Sequence, residues 1–169
     1  MTLAVSEPLP ALVFDRWGYG QSSQREDFPF GFMEEEEEPF RELLDALTVP
    51  RAHLVGHSDG GSISLLFAAA HPQRVLTVTT EAAHVFVEPE TQNGIRALVE
   101  LQNAGKTPGW LRKLHGDRAD ELLGRWSSGW LTEAHARWNI EGAVAGVRCP
   151  LQVVQGELDE FGTLAQVYA

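Results

Sequence analysis

The sequence predicts an α/β protein with a mostly parallel sheet that carries helices on both faces. Short apolar runs alternate along the chain with stretches of helical periodicity, and each apolar run ends in glycine or polar residues. A strand rejoins its neighbour in parallel only through a crossover, so this alternation favours a parallel sheet covered by helices. With 169 residues and 43 % hydrophobic content, the chain is long enough for one domain with a core.

Four apolar runs predict the strands. Residues 12–14 form a short run that ends at Asp15, and we expect a buried strand there followed by an exit loop. Residues 52–55 and 75–80 give the second and third strands, the latter with a β-branched composition. The segment 149–160 begins as a last strand and continues into a polar loop.

Two helices separate these strands. The segment 39–47 repeats apolar residues at helical spacing, and the five consecutive glutamates at 34–38 predict a solvated helix start near the positive end of the helix dipole. No histidine lies near the glutamates, so we expect no metal site there. The second helix follows Gly60, buries one apolar face and ends at Pro72.

The segment 88–147 has a different character. It contains four of the five tryptophans, shows helical patterns and lacks a convincing strand. It therefore resembles a helical lid inserted into the core. The predicted organisation is an α/β core over residues 1–87, the lid over 88–147, and a second piece of core over 148–169.

Charge and composition exclude several classes of function. The formal net charge is −11 and only 13 residues are Lys or Arg, which argues against binding to nucleic acids or anionic membranes. The single cysteine, Cys149, cannot form an internal disulfide, and neither a secretion signal nor a membrane-spanning run is evident. We expect a cytoplasmic protein that binds a small molecule and requires no metal or organic cofactor.

The sequence Gly56-His57-Ser58-Asp59-Gly60 has the pattern G-x-S-x-G between the second predicted strand and the following helix. That context predicts a sharp turn in which the serine adopts a strained backbone and projects its hydroxyl above the sheet edge. We expect a side chain at either glycine of the motif to collide with neighbouring backbone. The amide of Asp59 can then donate to a developing oxyanion. The alternative is that Ser58 is a plain helix N-cap.

Three segments resemble the α/β-hydrolase superfamily, in its lidded serine-hydrolase branch, and they occur in the same order. They are "LVFDRWGYGQSS", "HLVGHSDGGSISLLFAAAHP" and "CPLQVVQGELDEFGT", which together span residues 11–163. The resemblance implies that Ser58 is the nucleophile and that Asp159 is the acid that orients a histidine, with Glu157 as its substitute. A serine in the nucleophile position disfavours epoxide-hydrolase and haloalkane-dehalogenase chemistry and leaves acyl-type hydrolysis.

The sequence departs from this family in two places. The family order is serine, acid, histidine, and no histidine follows Asp159. Among the resident histidines His84 is placed best to reach the site, ahead of His115 and His135, whereas His57 is expected to point away from the nucleophile. We also expect the strand that donates the second oxyanion amide to be absent before residue 11.

Together these departures suggest an internal piece of a larger hydrolase, truncated at both ends. Its sheet would then have an unpaired edge, which favours pairing with a second copy of the chain. The function predicted is a serine hydrolase acting on a small ester or related carbonyl substrate through an acyl-enzyme, with little activity alone. The alternative is a non-catalytic ligand-binding or partner-binding fragment. A nucleotide-binding domain ranks last because the G-x-G-x-x-G and G-K-[ST] spacings are lacking.

Overall fold

A computed structural model describes residues 10–169 of the chain. Three strands and seven helices occur in this part, joined by loops and short 3-10 turns. In chain order they are α1 (Glu37–Ala46), β1 (Ala52–His57), α2 (Asp59–Ala70), β2 (Val75–Glu81), α3 (Pro89–Asn103), α4 (Gly109–His115), α5 (Ala119–Trp130), α6 (Glu141–Val144), β3 (Leu151–Val154) and α7 (Ala165–Tyr168).

The three strands form one parallel sheet in the order β1-β2-β3. Gly56 of β1 aligns with Thr80 of β2, and Thr80 in turn aligns with Val153 of β3. All strands therefore end at the same edge of the sheet, as sequence alternation predicted. The expected α/β architecture is confirmed.

The prediction of a strand at residues 12–14 is wrong. Residues 11–16 are irregular in the structure, and Val13 is 92 % exposed. An apolar run becomes a strand only where another strand offers it hydrogen-bonding partners. Within residues 10–169, β1 pairs with β2 alone, so its second edge stays unpaired, as the sequence led us to expect.

Helix α2 packs against β1 and β2 and forms the centre of the fold. Every residue from Gly61 to Ala68 is buried, so the helix is covered on all sides rather than on the one face expected. The ring of Phe67 in α2 packs against that of Phe40 in α1, and the two ring centroids are 4.6 Å apart. Burial of a helix on all sides fixes the position of its first turn, where the glycine–serine motif ends.

The glutamate run is only partly solvated. Its first three residues form a 3-10 turn and its last two begin α1, and Glu36 is buried beside two arginines. The Glu36 carboxylate lies 3.5 Å from the Arg25 guanidinium and 4.0 Å from that of Arg16. Burial raises the pKa of Glu36, although both arginines act in the opposite direction. The sequence pattern did not distinguish this glutamate because its two cationic partners lie in an earlier loop.

Helices occupy the segment 88–147, and no regular strand occurs in it. Trp130 and Trp138 are almost completely buried in the main core, and Trp126 is half-buried beside a small cluster of Leu111, Ala119 and Leu123. Trp110 differs, because 61 % of its surface is exposed. The tryptophans thus serve mainly as core, with Trp110, Trp126 and Trp130 also facing the cavity described below.

Within residues 10–169, the structure has no helix with the length and apolar character needed to span a bilayer.

The buried His135 should make the folding stability of the chain depend on pH. Its side chain is fully buried among the rings of Phe30, Phe32 and Trp130, and this burial lowers the pKa of the imidazole. The unfolded chain then binds a proton more readily than the folded chain, so stability falls as the pH drops below about 6.5. Urea unfolding at neutral and mildly acidic pH measures this loss.

The variant His135→Phe keeps a ring in the core and removes the titrating group, so its stability should fall less with acidification. His53→Gln is the matched control because His53 is exposed on β1. An equal acid-induced loss in His135→Phe and the parent chain would contradict the account.

Candidate active site

Ser58 sits at a sharp turn between β1 and α2. Its backbone angles are φ 52° and ψ −126°, a conformation that non-glycine residues rarely adopt. The Ser58 amide donates to the carbonyl of Glu81 at 2.9 Å, so the turn is anchored to the end of β2. The serine side chain makes no capping hydrogen bond to α2. This geometry differs from that of a plain N-cap, whose backbone is extended and whose hydroxyl caps the helix.

The end of β1 and the start of α2 approach each other so closely that the motif requires a glycine at position 56. A Cβ at Gly56 would lie 2.2 Å from the Gly60 carbonyl oxygen, which no side chain tolerates. A Cβ at Gly61 would lie 2.7 Å from that of Ala83. The prediction of a collision at Gly60 is wrong, because a Cβ at that position would meet no atom within 4 Å. The tight contacts are therefore at Gly56 and Gly61.

Asp59 occupies the first position of α2, where helix amides have no acceptor inside the helix. Among residues 10–169 the Asp59 amide donates to no backbone or side-chain acceptor. The side chain is held separately: its Oδ2 accepts from the Trp126 indole at 3.1 Å and from the Arg16 guanidinium at 3.3 Å. Two elements distant in sequence thereby fix the residue that follows the serine.

The turn from Gly56 to Gly60 is called the elbow below. A cavity of about 500 Å³ lies between this elbow and the helices of the 88–147 segment. Ser58, Asp59 and Asp159 line it together, as do His57, His84 and His115. The rest of the lining is largely apolar and comes from α3, α4 and α5: Ile95, Leu98, Trp110, Leu111, Leu122, Leu123, Trp126 and Trp130. A concave, mostly apolar site with a few polar groups is typical of small-molecule binding.

Asp159 lies in the loop after β3 and is half-buried. Its Oδ1 accepts from the Phe161 amide at 2.8 Å, and its Oδ2 accepts from the Gln155 side chain at 3.0 Å. Gln155 also donates to the Gly162 carbonyl, which closes the loop on itself. Glu157, the substitute acid, is exposed and does not line the cavity.

Glu88 anchors the far side of this loop. Its carboxylate accepts from the Thr163 amide and hydroxyl at 2.9 and 2.6 Å, and from the Gln166 side chain at 2.6 Å. Burial would raise the pKa of Glu88, but these hydrogen bonds outweigh it and lower the pKa. Gly94 of α3 packs so tightly against the loop that a Cβ would lie 2.7 Å from the Phe161 ring.

None of the six histidines hydrogen-bonds to Ser58 in the described part of the chain. In five of them one ring nitrogen lies 3.5 Å or less from a polar atom of another residue: Thr77 for His53, Glu37 for His71, Phe161 for His84, Gly20 for His115 and Thr132 for His135. His57 is exposed, although it contributes to the cavity wall. His135 does not line the cavity.

His84 is buried against the loop that carries Asp159 and Phe161. It is 5 % exposed, and its Nε2 lies 3.0 Å from the Phe161 carbonyl oxygen. Because a carbonyl only accepts, Nε2 carries the proton in the neutral ring, which leaves Nδ1 as the acceptor. That Nδ1 is buried and finds no donor among residues 10–169. His84 therefore faces the site but is not engaged with the serine.

Sequence reasoning missed the contacts of the loop 15–22 with the helical segment 88–147. Both backbone polar groups of Gly20 are hydrogen-bonded: its amide donates to His115 Nδ1 at 3.1 Å, and its carbonyl accepts from Arg118 at 2.6 Å. Arg16 and Tyr19 of the same loop line the cavity. No sequence signal pairs these residues, because about a hundred positions separate the two segments.

The glycine contacts predict opposite outcomes for two similar substitutions. Gly56→Ala forces a Cβ into the Gly60 carbonyl and should cost about 1–3 kcal/mol or more of unfolding free energy. Gly60→Ala is the matched control, because the added methyl meets open space and alanine favours a helix by up to about 1 kcal/mol. Chemical denaturation measures both variants. Equal destabilisation of the two would contradict the elbow packing.

The Gly20 contacts predict the mobility of α4. Removing both side chains in His115→Ala/Arg118→Ala should increase backbone hydrogen exchange over residues 109–118 and leave α2 unchanged. Acidification should act in the same direction, because burial and Arg118 lower the pKa of His115, and protonation removes its acceptor. Arg112→Ala is the control, since Arg112 of α4 pairs with Asp120 instead. Unchanged hydrogen exchange over residues 109–118 in the double variant would show that these bonds do not restrict the motion of α4.

Comparison with known proteins places the chain in a family. A sequence model described as the alpha/beta hydrolase fold matches residues 11–161. Serine hydrolase BPHL of Homo sapiens is 30 % identical over 155 residues, which cover 88 % of this chain and 53 % of that protein. The chain thus spans about half the length of this curated relative.

Solved structures agree on the fold. MGS-M2, an alpha/beta hydrolase enzyme from a Medee basin deep-sea metagenome library, superimposes with a TM-score of 0.65 at 20 % identity, covering 91 % of this chain and 64 % of that one. A thermophilic esterase from Thermogutta terrifontis gives a TM-score of 0.63 at 18 % identity, with the same coverage. Because the family model matches residues 11–161, most of the chain, this protein belongs to the α/β-hydrolase fold family.

Proposed function

We propose that the chain carries the nucleophile and the acid of a serine hydrolase that acts on a small ester or related carbonyl compound. In this proposal Ser58 attacks the carbonyl carbon, Asp159 orients the imidazole that takes up the serine proton, and the Asp59 amide stabilises the oxyanion. No metal or organic cofactor takes part. The small-molecule substrate occupies the cavity beneath the helices of the 88–147 segment.

The strained conformation of Ser58 is the observation that carries this proposal. A positive φ at a non-glycine residue is costly, and such strain concentrates at functional sites. Here it occurs in the lining of the apolar cavity, to which Asp159 also contributes. The neighbouring Asp59 amide donates to no acceptor within residues 10–169. A structural cap would require neither the strain nor this position.

The proposed reaction has two acyl-transfer steps. The Ser58 hydroxyl loses its proton to the base as Oγ bonds to the carbonyl carbon, and the resulting oxyanion accepts from the Asp59 amide. Collapse breaks the bond to the leaving group, which takes the proton from the base. Water then attacks the acyl-enzyme with the same assistance and releases the acid and free Ser58.

No histidine within residues 10–169 hydrogen-bonds to Ser58, so we expect slow ester hydrolysis by this chain. A triad without its base retains only the acceleration that the oxyanion donor and substrate binding provide, roughly 10³–10⁴-fold over water. The relatives matched are about twice as long as the region they share with this chain. We therefore propose little turnover by residues 1–169 alone.

A non-catalytic role is the second candidate, and the unengaged histidines favour it. The cavity would then bind an apolar ligand against Trp110, Trp126 and Trp130 without chemistry. Quenching of tryptophan fluorescence by bound carboxylic acids would be common to both candidates. Only the hydrolase requires Ser58 to react.

Chemical rescue distinguishes the two candidates. Free imidazole added to the chain with p-nitrophenyl acetate should raise turnover above the reaction of imidazole alone, because it supplies the missing base. The added rate should vanish in Ser58→Ala and should fall in Asp159→Asn, which keeps the size of the side chain but cannot stabilise the imidazolium. Release of p-nitrophenolate measures the rate.

Ser128→Ala is the matched control, since Ser128 is exposed on α5 and remote from the cavity lining. Rescue of equal size in the parent chain and Ser58→Ala would eliminate Ser58 as the nucleophile. Turnover typical of complete esterases without imidazole, abolished in Ser58→Ala, would show that a resident histidine is the base.

A further inference from the structure

Side chains hold the loop that carries Asp159. Residues 155–164 form neither helix nor strand, so no ladder of backbone hydrogen bonds fixes them. Side-chain hydrogen bonds join this loop and α7 to the segment 84–88: His84 to Phe161, Glu88 to Thr163, and Gln166 to Val85 and Phe86. The position of Asp159 therefore depends on contacts with the segment that follows β2.

Among these contacts, the one that His84 makes is nearest to Asp159 along the chain. The His84 Nε2 lies 3.0 Å from the Phe161 carbonyl oxygen, and the Phe161 amide donates to Asp159 Oδ1 at 2.8 Å. Both backbone polar groups of Phe161 are thus hydrogen-bonded, one to His84 and the other to Asp159. Glu88 and Gln166 act further along the chain, at residue 163 and beyond. The His84 bond therefore acts on the Asp159 carboxylate more directly than they do.

The backbone of His84 is attached in turn to the helix that begins after Ser58. The Ser62 hydroxyl donates to the His84 carbonyl at 2.6 Å and accepts from the His84 amide at 3.1 Å. Ser62 is completely buried in α2, about one helical turn beyond Ser58. A continuous series of hydrogen bonds therefore leads from α2 through His84 and Phe161 to the Asp159 carboxylate.

We propose that His84 is a positioning residue, which holds the Asp159 carboxylate in place for the imidazole that serves Ser58. This inference rests on the proposed function, because that function gives Asp159 its role as the acid. His84 itself does not serve as the base: its Nε2 proton is donated to Phe161, and its Nδ1 is buried. A general base requires an atom within hydrogen-bonding reach of the proton that it abstracts. The sequence singled out His84 as the histidine placed best to reach the site, and its ring instead supports the loop of the acid.

Two amide substitutions of His84 differ only in their reach. The side-chain amide of His84→Gln extends about as far as the histidine Nε2 and can donate to Phe161, whereas that of His84→Asn is one methylene shorter and cannot. The Phe161 amide should exchange roughly two- to tenfold faster in His84→Asn, the effect of losing one hydrogen bond, and at the parent rate in His84→Gln. Hydrogen exchange followed by NMR measures both rates without reference to catalysis. His135→Asn is the matched control, because His135 is equally buried but does not line the cavity.

Imidazole rescue tests whether His84 acts through Asp159. His84→Asn should lower the imidazole-dependent rate by roughly tenfold or more, since a misplacement of about 1 Å can cost about 10²-fold. The KM for p-nitrophenyl acetate should not change, and His84→Gln should retain the parent rate. In an Asp159→Asn background neither substitution should have a further effect, because the group that His84 positions is already lost. A merely structural substitution would lower the rate in both backgrounds.

Circular dichroism and thermal melting establish that the variants fold, and His84→Leu, which also lacks the donor, replaces His84→Asn if that variant does not fold. An unchanged exchange rate of the Phe161 amide in the folded variant would overturn the proposal. So would an equal loss of rescue with and without Asp159→Asn. If the parent chain shows no imidazole rescue that depends on Ser58, the proposed function fails, and the exchange of the Phe161 amide still decides whether His84 holds the loop.

Discussion

The contact between the end of β1 and the first turn of α2 determines most of this structure. Two backbones approach so closely there that Gly56 cannot carry a Cβ, and Ser58 accepts a positive φ as a consequence. Such strain persists only where the surroundings hold it in place. The buried helix α2 and the hydrogen bond from Ser58 to Glu81 provide that support.

The surroundings of the elbow are arranged by long-range polar contacts. Trp126 of α5 and Arg16 of the loop before α1 both hydrogen-bond to the Asp59 carboxylate. The segment after Asp159 is tied to the start of α3 by hydrogen bonds from Thr163 and Gln166 to Glu88. The cavity is therefore bounded by elements whose positions relative to Ser58 are fixed by hydrogen bonds as well as by apolar packing.

The parallel sheet, the helix after Ser58 and the helical segment 88–147 were predictable because local periodicity determines them. The strand at residues 12–14 was not, because a strand also depends on a partner, and none of the described residues pairs with it. The G-x-S-x-G pattern pointed to Ser58 and Asp59, the family resemblance pointed to Asp159, and all three line one cavity. Sequence alone could not reveal the Gly20 contacts with His115 and Arg118, or the burial of Glu36, since these depend on residues distant along the chain.

The most direct measurement of the central claim is the site of covalent reaction with a fluorophosphonate, identified by peptide mass spectrometry. Such a reagent mimics the tetrahedral adduct and requires an accessible serine hydroxyl beside an oxyanion donor. The account predicts a single modified residue, Ser58, at a rate that imidazole increases. Modification of Ser128 or another surface serine at an equal rate, with Ser58 left unmodified, would contradict it.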